Sequence, residues 1–226
     1  MNARSITLLL ALVAGAAFAQ RPVTIAVPNQ SEPVHGDLYG DGNRGLVLAH
    51  GGRFNKESWK DQAQIFAQTG FTVLAINFRG DTVNMDGRPS ANGSDADNAA
   101  DVLASARYLH ALGMQSVSAI GASLGGDAVG EADAQSQPGE FDRVVFLASD
   151  GGDHPEKLTG RKLYIVARHD TSGEGLRLPA IRGHFARAPE PKKLVIVKGA
   201  AHAQYLFGTR EGPAVIAAIV SFLSAK

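Results

Sequence analysis

Three side chains that could together perform acyl transfer follow one another along the chain: Ser123, Asp170 and His202. A serine hydroxyl is a weak nucleophile at neutral pH. A histidine within hydrogen-bond reach can take its proton if a carboxylate holds the imidazole in the right tautomer. These residue types therefore predict a nucleophile, a general base and an orienting acid, provided that the fold brings them together.

The surroundings of the serine predict how it would be presented. Ser123 is the centre of the pattern Gly-Ala-Ser-Leu-Gly at 121–125. The apolar run Val117–Ile120 predicts a buried strand, and Leu124–Ala134 predicts a helix that begins at once. Glycines on both sides permit a sharp turn that would lift the hydroxyl above the strand, at a helix N-terminus where negative charge is favoured.

The rest of the chain alternates apolar runs with helical patterns, which predicts a mostly parallel sheet buried on both faces. The predicted strands are Val23–Val27, Val34–Tyr39, Leu46–Ala49, Thr72–Asn77, Val117–Ile120, Val144–Ala148, Leu163–Ala167 and Leu194–Lys198. The predicted helices are a segment around Trp59–Ala67, then Asp97–Leu112, Leu124–Ala134, a segment near Leu176–Ala188, and Pro213–Ser224.

The glycines at 40, 42 and 45 match the G-x-G-x-x-G pattern of dinucleotide-binding proteins. That pattern opens a helix whose N-terminus meets the pyrophosphate, whereas here a predicted strand follows directly. We therefore expect no dinucleotide site. The segment Asp41-Gly42-Asn43 instead predicts a hairpin turn between the second and third strands.

The N-terminus has the pattern of a secretory signal peptide. Arg4 precedes the apolar run Ile6–Ala14, and Ala17-Phe18-Ala19 is typical of a cleavage site. We expect residues 1–19 to be removed and 20–226 to form a single domain in an exported protein, periplasmic or secreted. The apolar run is too short to span a bilayer comfortably, so no stable membrane insertion is expected.

The composition of the chain argues against some classes of binding partner. The 22 basic and 22 acidic residues balance, and no run of like charge or basic stripe occurs, which argues against nucleic acid or an anionic membrane as partner. The chain has no cysteine, so it can form neither disulfides nor thiolate metal sites. A small uncharged or singly charged substrate is favoured, and the oligomeric state is left open.

Taken together, these residues resemble the α/β-hydrolase superfamily. The resemblance rests on His50-Gly51-Gly52, the serine turn at 121–125, Asp170 after a late strand and His202 after the last strand. It implies a three-layer α/β-hydrolase fold with a mostly parallel central sheet and helices on both faces. No large cap domain is expected, because only residues 150–162 are available where related proteins carry one.

The resemblance also implies roles. Ser123 would be the nucleophile, His202 the general base and Asp170 the orienting acid. The oxyanion would be bound by the backbone N–H of Leu124 and by that of Gly52, with Arg53 as the alternative to Gly52. Some related enzymes place the acid after the preceding strand, where this chain offers Asp150 and Asp153.

The remaining histidines are predicted to have other roles. His50 is expected to brace the oxyanion loop, whereas residues 35, 110 and 184 are expected to be structural or solvated. His154 and His169 each adjoin an aspartate, but no further ligands follow at regular spacing, so neither a metal nor another cofactor is expected.

An open site on a chain of this size resembles small carboxylesterases and dienelactone-hydrolase-like enzymes, which predicts hydrolysis of a small carboxylic ester. A serine peptidase or amidase on the same fold and a non-catalytic secreted binding protein are the alternatives. The loops Arg79–Asn92 and Asp150–Arg161 are expected at the rim of the site. Residues expected to face the substrate are Arg53, Phe54, Arg79, Met85 and Tyr205.

Overall fold

The computed structural model describes residues 18–83, 89–90 and 93–225. Most of the predicted signal peptide and Met85 therefore lie outside the described residues. Phe18 is the first described residue, and its backbone N–H and C=O form hydrogen bonds of 2.8 and 2.7 Å with the side-chain amide of Gln64. None of the helices in this part of the chain combines the length and apolarity that a membrane crossing requires.

The centre of the fold is an eight-stranded sheet. Its strands are β1 (Arg21–Ile25), β2 (Val34–Tyr39), β3 (Arg44–Ala49), β4 (Phe71–Asn77), β7 (Ser116–Ala122), β8 (Arg143–Leu147), β9 (Arg161–Ala167) and β12 (Lys192–Val197). They lie in the order β1-β2-β4-β3-β7-β8-β9-β12. β2 is antiparallel to both of its neighbours, and all other pairs are parallel. Two small hairpins pair β5 (Thr82–Val83) with β6 (Pro89–Ser90) and β10 (Thr171–Ser172) with β11 (Gly175–Leu176).

Helices cover both faces of the sheet. The α-helices of the described residues are α1 (Lys60–Gln68), α2 (Asp95–Ala111), α3 (Leu124–Gln135), α4 (Arg177–Arg187) and α5 (Gly212–Ser224). Short 3₁₀ helices span Lys56–Trp59, Pro155–Lys157 and Ala203–Gly208.

The two faces of the sheet bury two separate apolar clusters, as the alternation of side chains along a strand requires. On β3, Val47 belongs to the cluster that includes buried side chains of α2, α3 and α4, whereas Leu46 and Leu48 belong to the cluster that includes those of α1 and α5. This three-layer arrangement, mostly parallel and without a large cap domain, confirms the fold class predicted from the sequence.

The predicted hairpin at 41–43 is wrong. β2 and β3 do not pair with each other, because β4 lies between them and pairs with both. The connection at 40–43 therefore crosses the start of β4, where Thr72 Oγ1 donates a 2.7 Å hydrogen bond to the Gly42 carbonyl. The small residues that indicated a tight turn instead permit this close crossing: a Cβ at Gly40 would lie 2.9 Å from that of Ala67.

Several element boundaries differ from the prediction by one or two residues, and two of them have a clear physical reason. α2 begins at Asp95 rather than Asp97, because Ser94 is its N-cap and its side chain accepts a hydrogen bond from the Asp97 N–H. β12 begins at Lys192, where a partly buried lysine extends the pairing with β9 beyond the apolar run. As predicted, the chain continues from Gly45 as a strand and not as a helix, and Gly45 itself is part of β3.

Candidate active site

Ser123 occupies a strained turn between β7 and α3. Its φ of 50° and ψ of −122° lie outside the regions that non-glycine residues favour. The turn is tight enough that a Cβ at Gly125 would overlap the carbonyl oxygen of Ala49, and one at Gly121 would overlap the backbone of Gly125. The glycine positions singled out in the sequence are thus required by close backbone packing.

The three side chains proposed for the chemistry form one chain of hydrogen bonds. His202 Nε2 lies 2.8 Å from Ser123 Oγ, and His202 Nδ1 lies 2.8 Å from Asp170 Oδ2. His202 follows β12, and Asp170 follows β9, so the carboxyl ends of parallel strands bring them to the same edge of the sheet as the end of β7. This arrangement can move a proton from the hydroxyl to an imidazole whose orientation is fixed.

Asp170 is fully buried, and its surroundings hold it in place. Its backbone carbonyl accepts a 3.0 Å hydrogen bond from the Arg177 N–H, and the guanidinium of Arg177 lies 3.7 Å from Oδ1. The alternative acids lie elsewhere: Asp150 faces His184 at 3.7 Å, and Asp153 donates its backbone N–H to Glu131. Of the three aspartates, the structure brings Asp170 to His202.

The segment after β3 forms a turn beside the serine. Phe54 N–H donates to the Gly51 carbonyl at 2.9 Å, so Gly52 and Arg53 are the central residues of a β-turn. Backbone N–H groups at the centre of such a turn point away from its own hydrogen bond. Within the described residues, neither of these two N–H groups has a protein acceptor. Leu124 is the first residue of α3, where backbone N–H groups lack helical partners.

The chain matches the sequence model of the alpha/beta hydrolase family over residues 46–222, which is more than half of its length. It belongs to the alpha/beta hydrolase family. The family resemblance predicted from the sequence is therefore confirmed. No curated protein sequence matches this family member.

Solved structures share the fold at low sequence identity. A predicted CIB-like hydrolase of Thermoplasma acidophilum has a TM-score of 0.71 and 21% identity, with 91% of this chain and 98% of that chain covered. A dienelactone hydrolase of Anabaena variabilis has a TM-score of 0.69 and 20% identity, with 92% of this chain and 96% of that chain covered. A carboxylesterase of Bacillus subtilis has a TM-score of 0.68 and 16% identity, with 91% of this chain and 92% of that chain covered.

His50 of this hydrolase-family chain is completely buried behind the turn at 51–54. Its Nδ1 lies 2.9 Å from the Gly51 carbonyl, and its Nε2 lies 2.9 Å from Asp81 Oδ2. Both neighbouring oxygens are acceptors, so the ring N–H of His50 points at one of these two partners. His50 therefore contacts the turn and is itself held by Asp81, a partner that the sequence did not reveal.

Two cavities meet at Ser123. One, of about 420 Å³, is lined by Gly52, Leu124, His202 and an aromatic pair formed by Phe54 and Tyr205, whose ring centroids are 4.9 Å apart. The other, of about 360 Å³, is more acidic. Its polar lining residues are Asp127, Ser149, Asp150, Ser172, Glu174 and Arg177.

Burial raises the pKa of Asp127, in the second cavity, to about 7, although a hydrogen bond from Ser149 Oγ at 2.7 Å acts in the opposite direction. Asp150 of the β8–β9 connection lines the same cavity, so this connection does reach the site. For the other predicted rim loop, residues 84–88 and 91–92 lie outside the described residues.

Three of the residues expected to face the substrate, Arg53, Phe54 and Tyr205, line the first cavity. The expectation for Arg79 is wrong. Its guanidinium is buried and paired with Asp101 at 2.5 Å, and its backbone N–H donates to the same carboxylate at 2.8 Å. A buried arginine is stable only with such a partner, and α2 supplies it.

Three of the remaining histidines contact polar groups away from Ser123. His110 contacts the carbonyl of Glu140, His154 the carboxylate of Glu131, and His184 the carbonyl of Gly152. Across the described ranges, no three histidine or acidic side chains cluster closely enough to hold a metal ion.

Proposed function

We propose that this member of the alpha/beta hydrolase family hydrolyses small carboxylic esters through an acyl-enzyme on Ser123. The observation that carries the proposal is the continuous hydrogen-bonded chain from Ser123 through His202 to Asp170. A peptidase or amidase reaction would use the same groups, so substrate comparison is part of the test.

In the first half of the reaction, Ser123 Oγ attacks the acyl carbon while His202 Nε2 takes the hydroxyl proton. The carbonyl oxygen becomes an oxyanion, which the N–H groups of Gly52 and Leu124 would bind. One such donor is typically worth about 3 kcal/mol of transition-state stabilisation. Asp170 would hold the imidazole and stabilise its protonated form.

When the tetrahedral intermediate collapses, the bond from the acyl carbon to the alcohol oxygen breaks, and His202 gives its proton to the departing alcohol. Water then attacks the acyl carbon, and His202 takes a proton from it. The second collapse breaks the bond to Ser123 Oγ, which regains the proton, and a carboxylic acid leaves. No other reactant is needed, and we propose no cofactor.

The structural neighbours and the two cavities support an ester as the substrate. Two of the neighbours are described as a dienelactone hydrolase and a carboxylesterase, both enzymes of the ester class. Two cavities on either side of one nucleophile suit the acyl and alcohol portions of a small ester. If the predicted signal peptide is removed, this hydrolysis takes place outside the cytoplasm.

The proposal is tested with an active-site probe and a substrate panel. A fluorophosphonate should label the wild-type protein but not Ser123→Ala, because only an activated serine reacts. Hydrolysis of p-nitrophenyl acetate and butyrate should fall by at least about 10⁴-fold in Ser123→Ala and His202→Ala. The wild-type rate should rise between pH 5 and pH 8, since a histidine base acts in its neutral form.

Matched amide substrates in the same panel distinguish an esterase from an amidase. Faster turnover of amides than of esters would contradict the proposed ester substrate, but it would still agree with Ser123 as the nucleophile. Labelling that survives Ser123→Ala would contradict the assignment of the nucleophile. A wild-type protein that neither reacts with the probe nor turns over any substrate would favour the non-catalytic alternative.

A further inference from the structure

Gln204 links the turn after β3 to the loop that carries His202. Its Oε1 accepts a 3.2 Å hydrogen bond from the Gly51 N–H, a residue 153 positions away in the sequence. Its Nε2 donates to Ser58 Oγ at 2.8 Å. The backbone donor at Gly51 fixes which end of the amide is the oxygen. The side chain is almost fully buried, with 7% of its surface exposed.

Gly51 is held on its carbonyl side as well. The oxygen accepts from Phe54 N–H at 2.9 Å, and His50 Nδ1 lies 2.9 Å from it. A Cβ at Gly51 would lie 3.2 Å from both Gln204 Oε1 and the carbonyl of Ala122, so the backbone fits closely between them. Both the N–H and the C=O of this residue are thus used, and they set the position of the turn that follows.

We propose that Gln204 is a positioning residue that aligns the N–H groups of the turn at 51–54 with Ser123 and His202. This inference rests on the proposed function, because it assigns these N–H groups to the oxyanion. Electrostatic stabilisation of a developing charge needs donors held within a few tenths of an ångström of their productive position.

The same side chain is well placed to couple the base to the oxyanion donors. Gln204 is two residues after His202, in the 3₁₀ helix Ala203–Gly208. A displacement of this helix would move His202 and the acceptor for Gly51 together. A single buried amide therefore keeps two parts of the site in register, although neither of its hydrogen bonds involves the three proposed catalytic side chains.

The test compares three variants. Gln204→Met keeps the approximate length and removes both hydrogen bonds, and Gln204→Glu keeps an oxygen that can accept from Gly51. Ser58→Ala removes the partner of Nε2, together with the 2.6 Å hydrogen bond from Ser58 Oγ to the Asn55 carbonyl. We expect kcat for p-nitrophenyl butyrate to fall about 10- to 100-fold in Gln204→Met with KM changed by less than about 3-fold, since a misplaced donor weakens the transition state alone.

Gln204→Glu should recover at least about 5-fold of that loss, and Ser58→Ala should lower kcat by less than about 3-fold, because the Gly51 bond remains. Affinity for a boronic acid that forms a tetrahedral adduct should fall in parallel with kcat. A purely structural role would lower the melting temperature of Gln204→Met and leave kcat unchanged well below that temperature. That result would overturn the proposal.

Amide hydrogen exchange in the segment 50–55 gives a readout that does not need activity. The segment should exchange faster in Gln204→Met than in wild type and in Ser58→Ala, because the Gly51 N–H has lost its acceptor. Equal exchange in wild type and Gln204→Met would overturn the positioning role. An inactive wild type that does not react with a fluorophosphonate would instead overturn the proposed function, whatever the exchange result.

Discussion

Helices α3 and α4 follow Ser123 and Asp170, respectively, yet they are attached to the fold in different ways. α3 approaches its neighbours with its backbone: a Cβ at Gly130 would overlap the carbonyl oxygen of Gly151. α4 is a surface helix, in which Leu178 and Ile181 are the only buried residues, and a Cβ at its Gly183 would have no atom within 4 Å.

Side chains strengthen the contrast. α3 carries three carboxylates, Asp127, Glu131 and Asp133, which accept hydrogen bonds from the β8–β9 connection. Their nearest donors are Ser149 Oγ at 2.7 Å, the Asp153 N–H at 2.7 Å and Thr159 Oγ1 at 2.8 Å. The nucleophile is therefore positioned by an element that is held on several sides, whereas the contacts of α4 with the acid come from its first residue, Arg177. Substitutions in α3 should affect stability far more than equivalent substitutions in α4.

The largest effect is expected for Gly130→Ala. The added methyl would overlap the backbone of Gly151, and backbone cannot rotate away as a side chain can. Overpacking of this kind costs about 3 kcal/mol, which should lower the melting temperature by roughly 6 to 12 °C for a chain of this size. Thermal unfolding followed by circular dichroism measures it. A melting temperature within about 2 °C of wild type would contradict the close packing of α3.

An intermediate effect is expected for Asp127→Asn, and it should depend on pH. The pKa of Asp127 is about 7 in the folded protein and near 3.8 when unperturbed. Between these values the folded protein keeps a proton that the unfolded chain has lost, so wild-type stability declines as the pH rises from about 4 to about 7. Asparagine has no such proton, and its oxygen can still accept from Ser149.

The free energy of unfolding of Asp127→Asn should therefore increase relative to wild type by about 2 kcal/mol between pH 5.5 and pH 8. Urea unfolding at pH 5.5, 6.5 and 8 provides the comparison, and the other titrating groups are common to both proteins. A difference in unfolding free energy that stays constant with pH would mean that burial in the second cavity does not raise the pKa of Asp127.

The smallest effect, with the opposite sign to that of Gly130→Ala, is expected for Gly183→Ala. Gly183 is exposed and helical, and the methyl would meet nothing. Replacing a helical glycine by alanine gains up to about 1 kcal/mol, or roughly 2 to 4 °C. Gly183→Ala, measured in the same way by circular dichroism, is the matched control for Gly130→Ala. A loss of stability here would show that α4 is packed more tightly than its exposure indicates.

The sequence was informative where a local pattern determines the structure. Continuous apolar runs predicted the parallel strands, and the glycines around Ser123 predicted the turn because only a close backbone approach requires them. Asp170 and His202 could be selected because the family resemblance places the acid and the histidine after late strands, and the carboxyl ends of parallel strands share one edge. Local patterns therefore predicted the layers, and the three side chains were predicted from those patterns together with the resemblance.

Contacts between distant segments could not be predicted in this way. The hairpin prediction at 41–43 was wrong because β4, which comes later in the chain, lies between β2 and β3 and pairs with both. Arg79 was expected to face the substrate, but Asp101 on α2 binds it. His50 is bound by Asp81, and Gly51 is bound by Gln204. Both partners come from other segments of the chain, and no local sequence pattern identifies either of them.

The close packing of α3 against residues 149–151 limits how this nucleophile can be transferred to another scaffold. The strand, turn and helix at 116–135 look like a portable unit, but Gly126 fits against Ser149 and Gly130 against Gly151. A graft that omits the partner segment leaves these glycines facing an unrelated surface. The smallest transferable piece is therefore discontinuous in sequence, and both parts have to be moved together.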